Sequence, residues 1–335
     1  MTERLRVQDL SVHFRSERRE VQVVHDLSFT LEAGRTLALV GESGSGKSVT
    51  SLALMGLLPP PPQSRTTGSA LLEGRDGADL LGIPESRRRR LRGDRIAMIF
   101  QEPLTSLNPV HSVGAQLVEA IRSHRSVSRR AAWDRAEELL DEVGIPEPAA
   151  RLASFPHELS GGMRQRVMIA IALALEPDVL IADEPTTALD VTVQAQILDL
   201  LRRVQERTGM AMLFITHDFG VVADIAHRTV VMYAGRMVEA GPTEDILRRP
   251  LMPYTSGLMA SVPLLETAGT GRSELATIDG FVPDPAAPPA GCAFHPRCAH
   301  NRPGRCDVPP IAVEAPAPDR SIRCARWREL AEEVR

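Results

Sequence analysis

Aromatic side chains are scarce. Phe, Tyr and Trp together make up 4% of the 335 residues, so the core must be filled by Leu, Ile, Val, Met and Ala. Long apolar runs are missing too. The longest uninterrupted one, Val167 to Leu175, is nine residues, against the roughly 20 that a bilayer-spanning helix needs. No segment is therefore expected to cross a membrane. The opening stretch, Met1-Thr-Glu-Arg-Leu-Arg6, lacks the apolar centre of a secretory leader, which points to the cytosol. There is no basic excess: the formal net charge is −4, which argues against a nucleic-acid partner. Cysteine is absent from the first 291 residues, and all four cysteines bunch behind them.

What is present reads as an α/β chain. Apolar, strand-like runs alternate with helix-like stretches to about residue 250, the pattern of a largely parallel sheet. Strands are expected at Thr36 to Val40, Ile96 to Phe100, Val179 to Ala182 and Ala211 to Thr216. A closing hairpin is expected from Thr229 through Gly235 to Ala240. Residues 112–143 read as helical, with Ser128 as an N-cap and Gly144 as a stop. Ser160 is placed to cap a helix running to Leu175. After Asp190, the residues Val193, Ile197, Leu200, Leu201 and Val204 recur at helical spacing. Beyond about Ser261 the composition changes. Residues 282–290 are a Pro/Ala linker and 302–318 are again Pro-rich. This tail is expected to build little core and to need something else to hold it together.

Chemistry concentrates at three places. The segment Gly41-Glu-Ser43-Gly44-Ser45-Gly46-Lys47-Ser48 fits G-x-x-x-x-G-K-[ST] and sits between a strand and a helix. Its glycines let backbone N–H groups turn towards phosphate oxygens, and the helix start adds positive potential. Lys47 suits β- and γ-phosphates, and the Ser48 hydroxyl suits Mg²⁺. The strand Leu180-Ile-Ala delivers Asp183 and Glu184 at its carboxyl end, the edge where ligands bind in open α/β sheets. Asp183 can hold Mg²⁺ there, and Glu184 can polarise a water aimed at a γ-phosphate. Finally, Leu159-Ser160-Gly161-Gly162-Met163-Arg164-Gln165 is a Ser-capped helix start with exposed N–H groups, a second anion site without a lysine.

With that last segment the sequence resembles the nucleotide-binding domains of ABC transporters, whose signature is Leu-Ser-Gly-Gly-x-x-Gln. The rest of the set follows in order. The resemblance implies that Phe14 stacks on adenine and that Gln101 is the Q-loop residue that contacts metal and water and senses transport subunits. It also implies that Thr187-Ala188-Leu189-Asp190 is the D-loop, and that His217 is the switch histidine at the γ-phosphate. Val49, Gln165 and Asp190 complete the expected nucleotide contacts, and Ser48, Gln101 and Asp183 the Mg²⁺ site. The implied fold is a P-loop NTPase of ABC type over residues 1–260. It has a RecA-like core, an antiparallel β-subdomain and a helical subdomain at about 108–165. A small cysteine-rich extension over 261–335 follows. The implied mechanism sandwiches two ATP molecules between two such domains, each held by the phosphate loop of one and Ser160-Gly161-Gly162 of the other.

A narrower resemblance is to the ATP-binding subunits of bacterial dipeptide/oligopeptide importers. It rests on Gln101-Glu-Pro-Leu-Thr-Ser-Leu-Asn-Pro109, Phe155-Pro-His-Glu-Leu-Ser-Gly-Gly-Met163, Asp183-Glu-Pro-Thr-Thr-Ala-Leu-Asp-Val-Thr192 and Pro253-Tyr254-Thr255. Met252 departs from the His that this family carries there. The implied partners are a second, paralogous ATPase subunit, two membrane permease subunits and, through them, an extracytoplasmic peptide-binding protein. The implied location is the cytoplasmic face of the membrane. An importer for nickel or another small solute is the alternative. Soluble ABC proteins of DNA repair or translation carry a long coiled coil or two ATPase domains. The stretch from Gln101 to Ser160 is too short for the first, and a single phosphate loop excludes the second.

Cys292, Cys298, Cys306 and Cys324 lack the close C-x2–4-C pairs of zinc ribbons. Disulfides do not suit a reducing cytosol. Family tails of this pattern imply a [4Fe–4S] cluster, with zinc or no metal as the alternatives. His295 and His300 read as surface residues. The run Arg87-Arg-Arg-Arg-Leu-Arg92 reads as a solvated helix face, with anionic lipid or an acidic partner as the other possibility.

Overall fold

The computed structural model describes residues 2–16, 19–74, 77–101, 106–187, 189–261 and 277–333. In chain order its elements are β1 (Glu3–Ser16), β2 (Arg19–Glu32), β3 (Thr36–Val40), α1 (Lys47–Met55), β4 (Ser64–Leu72), β5 (Ala78–Asp79), α2 (Glu85–Leu91), β6 (Ile96–Ile99), α3 (Val113–Arg122), α4 (Arg129–Glu142), α5 (Pro148–Arg151), α6 (Gly161–Leu173) and β7 (Val179–Asp183). They continue with α7 (Val191–Thr208), β8 (Ala211–Thr216), α8 (Phe219–Ile225), β9 (Arg228–Tyr233), β10 (Arg236–Pro242), α9 (Thr243–Arg248), α10 (Pro253–Ala260), β11 (Glu314–Ala317), β12 (Arg320–Ile322) and α11 (Trp327–Glu333). The chain forms two compact units. The first is Met1–Leu5, Thr30–Arg35 and Leu72–Phe214; the second is Arg6–Phe29, Thr36–Leu71 and Ile215–Arg335.

In the first unit β6 and β7 run parallel, Ile96 opposite Val179 and Ile99 opposite Ala182. Every residue of β7 is buried, the four apolar ones Val179 to Ala182 and the closing Asp183 alike. The helical stretch expected over 112–143 is two helices, the second starting at the expected cap, Ser128. Ser112 caps α3, accepting from the Ala115 N–H at 3.3 Å, and Ser128 caps α4, accepting from Ala131 at 3.1 Å. The first helix ends at Arg122, and Ser128 starts the second because its side chain accepts an N–H that the first turn of a helix leaves without a carbonyl partner. Leu117 and Ile121 of α3 and Leu139 and Leu140 of α4 are all buried. The Arg87 to Arg92 run lies largely in α2. Arg88 donates to the carbonyls of Leu80, Leu81 and Ile83, and Arg92 pairs with Glu85 at 2.6 Å, so part of this run ties α2 to its own loop.

In the second unit β9 pairs parallel with β3 and antiparallel with β10. The closing hairpin thus occurs at the expected residues. Sequence gave no hint of the next step: β10 pairs antiparallel with β12, Glu239 opposite Ile322, and β12 with β11, so the tail extends the sheet. The expectation of a coreless tail needs correcting. Phe294, Ile322, Cys324 and Leu330 are buried in one cluster with Val231, Tyr233, Val238, Tyr254 and Leu258. The tail's few apolar residues suffice because they complete a core begun elsewhere in the chain.

A buried ion pair locks that junction. Glu239 is fully buried and Arg320 nearly so, 2.6 Å apart. The Glu239 carboxylate also accepts the N–H groups of Leu251 at 2.9 Å and Met252 at 3.2 Å. Arg320→Ala strands a buried carboxylate and is expected to cost about 3–5 kcal/mol in chemical denaturation. A loss under about 1 kcal/mol, the value of an exposed pair, would contradict this reading.

Candidate functional site

The second unit holds the phosphate loop. β3 ends at Val40, and α1 begins at Lys47 with no side chain capping its first turn. Gly41 is obligatory here, since a Cβ would stand 2.3 Å from the Met232 carbonyl oxygen. Gly46, at φ 99°, supplies the left-handed turn into the helix. Lys47 is buried, and its Nζ donates to the Gly41 carbonyl at 2.7 Å, the Glu42 carbonyl at 3.0 Å and Ser45 Oγ at 3.5 Å. The ammonium is thus folded back on its own loop. Ser43 and Gly44 are exposed, and Ser48 and Val49 are half-buried. Phe14 lies on β1, half-buried. His217 is exposed between β8 and α8, and the next residue, Asp218, caps α8 by accepting from Gly220 at 2.7 Å.

The first unit holds the paired acids and the signature. Asp183 ends β7, 3% exposed. Glu184 follows in the left-handed region at φ 46°, a conformation uncommon for a side-chain-bearing residue, and this turns the chain sharply out of the strand. Its Oε2 accepts from Gln101 Nε2 at 3.1 Å and from Thr187 Oγ1 at 2.9 Å. The structure therefore brings Gln101 and Glu184, read separately in the sequence, into one hydrogen-bonded group. It adds Thr187, which sequence reasoning placed only in a loop motif. Gln165, buried, donates to the Pro185 carbonyl at 2.6 Å and braces the same turn from α6. Ser160 caps α6 by accepting from Met163 at 3.3 Å. Ser160 and Gly161 are exposed, and a Cβ on Gly161 would meet nothing within 4 Å. A Cβ on Gly162 would crowd Val193 at 3.2 Å, so that glycine fits α6 against α7. Asp190 caps α7, accepting from Val193 at 2.9 Å. Ala188 and residues 102–105, parts of the D-loop and Q-loop motifs, lie outside the described residues.

The four cysteines are free thiols, Cys306 and Cys324 buried and Cys292 and Cys298 half-buried. Among the described residues no group of three or more His, Cys, Asp or Glu is placed to hold a metal ion. The expected cluster or zinc site is therefore not preformed. Burial pushes the Cys292, Cys298 and Cys324 thiols up, Cys324 to about 11. The thiols are nonetheless neighbours. Besides burial, Cys298 and Cys306 raise Cys292, and all three of these raise Cys324. The sulfurs also have N–H donors to hand, with the Arg302 N–H 3.4 Å from Cys306 Sγ.

None of the described helices is long and apolar enough to cross a membrane. Residues 24–187 match the ABC transporter family model, and residues 238–306 match that of the oligopeptide/dipeptide transporter C-terminal region. The oligopeptide transport ATP-binding protein OppD of Bacillus subtilis is 52% identical over 88% of this chain and 81% of its own. OppD of Salmonella typhimurium is 48% identical over 96% of this chain and 92% of its own. Among solved structures, the dimeric post-hydrolysis ATP-binding cassette MJ0796 bound to ADP and Pi shares the fold. Its TM-score is 0.62 at 24% identity, covering 71% of this chain and 98% of that one.

Proposed function

Because this chain belongs to the peptide-import branch of the ABC transporter ATP-binding proteins, we propose that it binds and hydrolyses ATP to drive uptake of di- or oligopeptides. The observation that carries the reading is the Glu184 carboxylate. It stands one residue beyond the buried Asp183 and is oriented by Gln101 and Thr187, as a base must be to aim a water. In this reading Gly41 to Val49 cradle the phosphates, with Lys47 swinging from its loop carbonyls onto the β- and γ-oxygens. Ser48, Asp183 and Gln101 would hold Mg²⁺, whose chemistry is to bridge and neutralise phosphate oxygens. Hydroxyl, amide and carboxylate oxygens are the ligand types that such a hard cation takes. Phe14 offers adenine a stacking face, and His217 a donor to the γ-phosphate. The exposed Ser160 and Gly161 at the start of α6 suit a phosphate brought by another subunit. Asp190 belongs to the same subunit boundary. The partners are a second, homologous ATPase subunit, two permease subunits and, beyond them, a peptide-binding protein. The chain would work at the cytoplasmic face of the membrane.

Affinity purification from membranes tests this reading. Two polytopic permease subunits and a homologous ATPase are expected to co-purify, and the assembly to import peptide in vesicles only with ATP. Co-purification with soluble partners alone, or uptake of another solute and not peptide, would overturn it.

The finer reading of the tail is that Cys292, Cys298, Cys306 and Cys324 hold a [4Fe–4S] cluster, with zinc as the alternative. It is supported by Cys292, Cys298 and Cys306 lying near enough to Cys324 to raise its thiol, and by the Arg302 N–H 3.4 Å from Cys306 Sγ, the kind of donor that stabilises cluster sulfurs. Such a group would supply a covalent staple between loops. Anaerobically purified full-length protein is expected to carry about four irons per chain. Iron-free protein containing zinc, or no metal at all, would refute the cluster.

A further inference from the structure

Glu42, inside the phosphate loop, is fixed at each of its polar groups. Its N–H donates to the Tyr254 hydroxyl at 2.9 Å, and its carbonyl accepts from Lys47 at 3.0 Å. Its carboxylate is gripped by both ends of one guanidinium. Arg297 Nη1 lies 2.8 Å from Oε2, and Nη2 lies 3.3 Å from Oε1. Arg297 comes from the cysteine tail, 255 residues away, one position before Cys298. Its side chain is 8% exposed. Its remaining donors are taken up by Tyr233 Oη at 3.2 Å, the Ile278 carbonyl at 3.1 Å and the Asp279 carbonyl at 2.8 Å. Beneath the pair, Tyr233, Tyr254 and Phe294 pack with ring centres 4.7–5.2 Å apart, and the guanidinium lies 5.7 Å over the Tyr233 ring. A planar guanidinium bonded on every edge and backed by aromatics is a rigid support.

A carboxylate in a loop built to receive a triphosphate is a liability, because at short range it repels the ligand. We propose that Arg297 is a positioning residue for ATP. From the tail, it pins the Glu42 carboxylate and cancels the charge that the triphosphate would otherwise meet. The proposal rests on the phosphate-loop reading given above. Its consequence is that the cysteine tail helps set ATP affinity without touching ATP.

The test uses the full-length chain, with MgATP and MgADP affinities and steady-state ATPase measured side by side. Arg297→Ala is expected to raise the Kd and KM for MgATP about tenfold or more. MgADP should weaken less and kcat should change under about threefold, the pattern of lost binding rather than lost chemistry. Arg297→Lys keeps the charge and should recover part of the loss. The decisive variant is Arg297→Ala combined with Glu42→Gln. If the stranded charge is the fault, this pair binds MgATP within about threefold of Glu42→Gln alone, whereas a merely structural role would leave it as impaired as Arg297→Ala. Wild-type affinity in Arg297→Ala, or no recovery in the double variant, would overturn the proposal. Lys47→Ala, run in parallel, keeps the two readings apart. If it binds MgATP normally, the phosphate-loop assignment itself has failed. If it loses binding while Arg297→Ala does not, only the tail's role has failed.

Discussion

Glu184→Gln is expected to cut ATP turnover about 10²-fold or more, the scale of a lost general base, while ATP stays bound. The argument is local. The substitution keeps length and shape, and the amide oxygen can still accept from Gln101 and Thr187, whose bonds of 3.1 and 2.9 Å orient the carboxylate. What is lost is the ability to take a proton from water. Asp183 and the phosphate loop are untouched, so nucleotide affinity should be at or above that of the parent. A single-turnover assay with radiolabelled ATP separates the two quantities. Unchanged hydrolysis would remove Glu184 from its assigned role and leave Gln101 and Thr187 orienting a spectator.

Lys47→Ala should weaken nucleotide binding by about 10²-fold or more, since charge-assisted bonds to phosphate oxygens are the strong ones and here would be lost together. In the structure the ammonium is held by the Gly41 and Glu42 carbonyls. Removing it does more than delete a cation. It also leaves the Gly41 and Glu42 carbonyl oxygens without the donor that Lys47 gives them. Titration calorimetry with MgATP reads the effect. Normal affinity would refute the phosphate-loop assignment at its centre.

Much of this was legible in the sequence, for reasons that differ by residue. The turn from β3 into α1 could be read because glycines at fixed spacing have few other uses, and the Cβ clash at Gly41 shows why. Ser128 and Ser160 announced their helices because capping is a short-range hydrogen bond, three residues long. Ser112 does the same for α3, although only the cap at Ser128 was singled out in the sequence between 112 and 143. The tail was read least well. Glu314–Ala317, interrupted by Pro316, and the three residues Arg320–Ile322 are too short to announce strands, and the second becomes one by pairing with β10, the first by pairing with the second. Arg297 and Glu42 are 255 residues apart, and nothing in local spacing links an arginine beside a cysteine to a glutamate inside a phosphate loop. The same limit hid the pairing of Glu239 with Arg320. Long-range polar pairs leave no periodic trace, whereas caps, turns and buried strands do.

The central claim is that one ATP is shared between subunits, with Lys47 supplied by one and Ser160 by the other. Sedimentation of the Glu184→Gln chain, alone and with the homologous subunit expected to co-purify from membranes, tests it most directly. Saturating MgATP should drive one protomer onto another and its removal should release them. Ser160→Arg, which places bulk on the exposed start of α6, should block association while leaving a protomer able to bind ATP. A chain that stays monomeric with ATP bound, whatever subunit is supplied, would contradict the account.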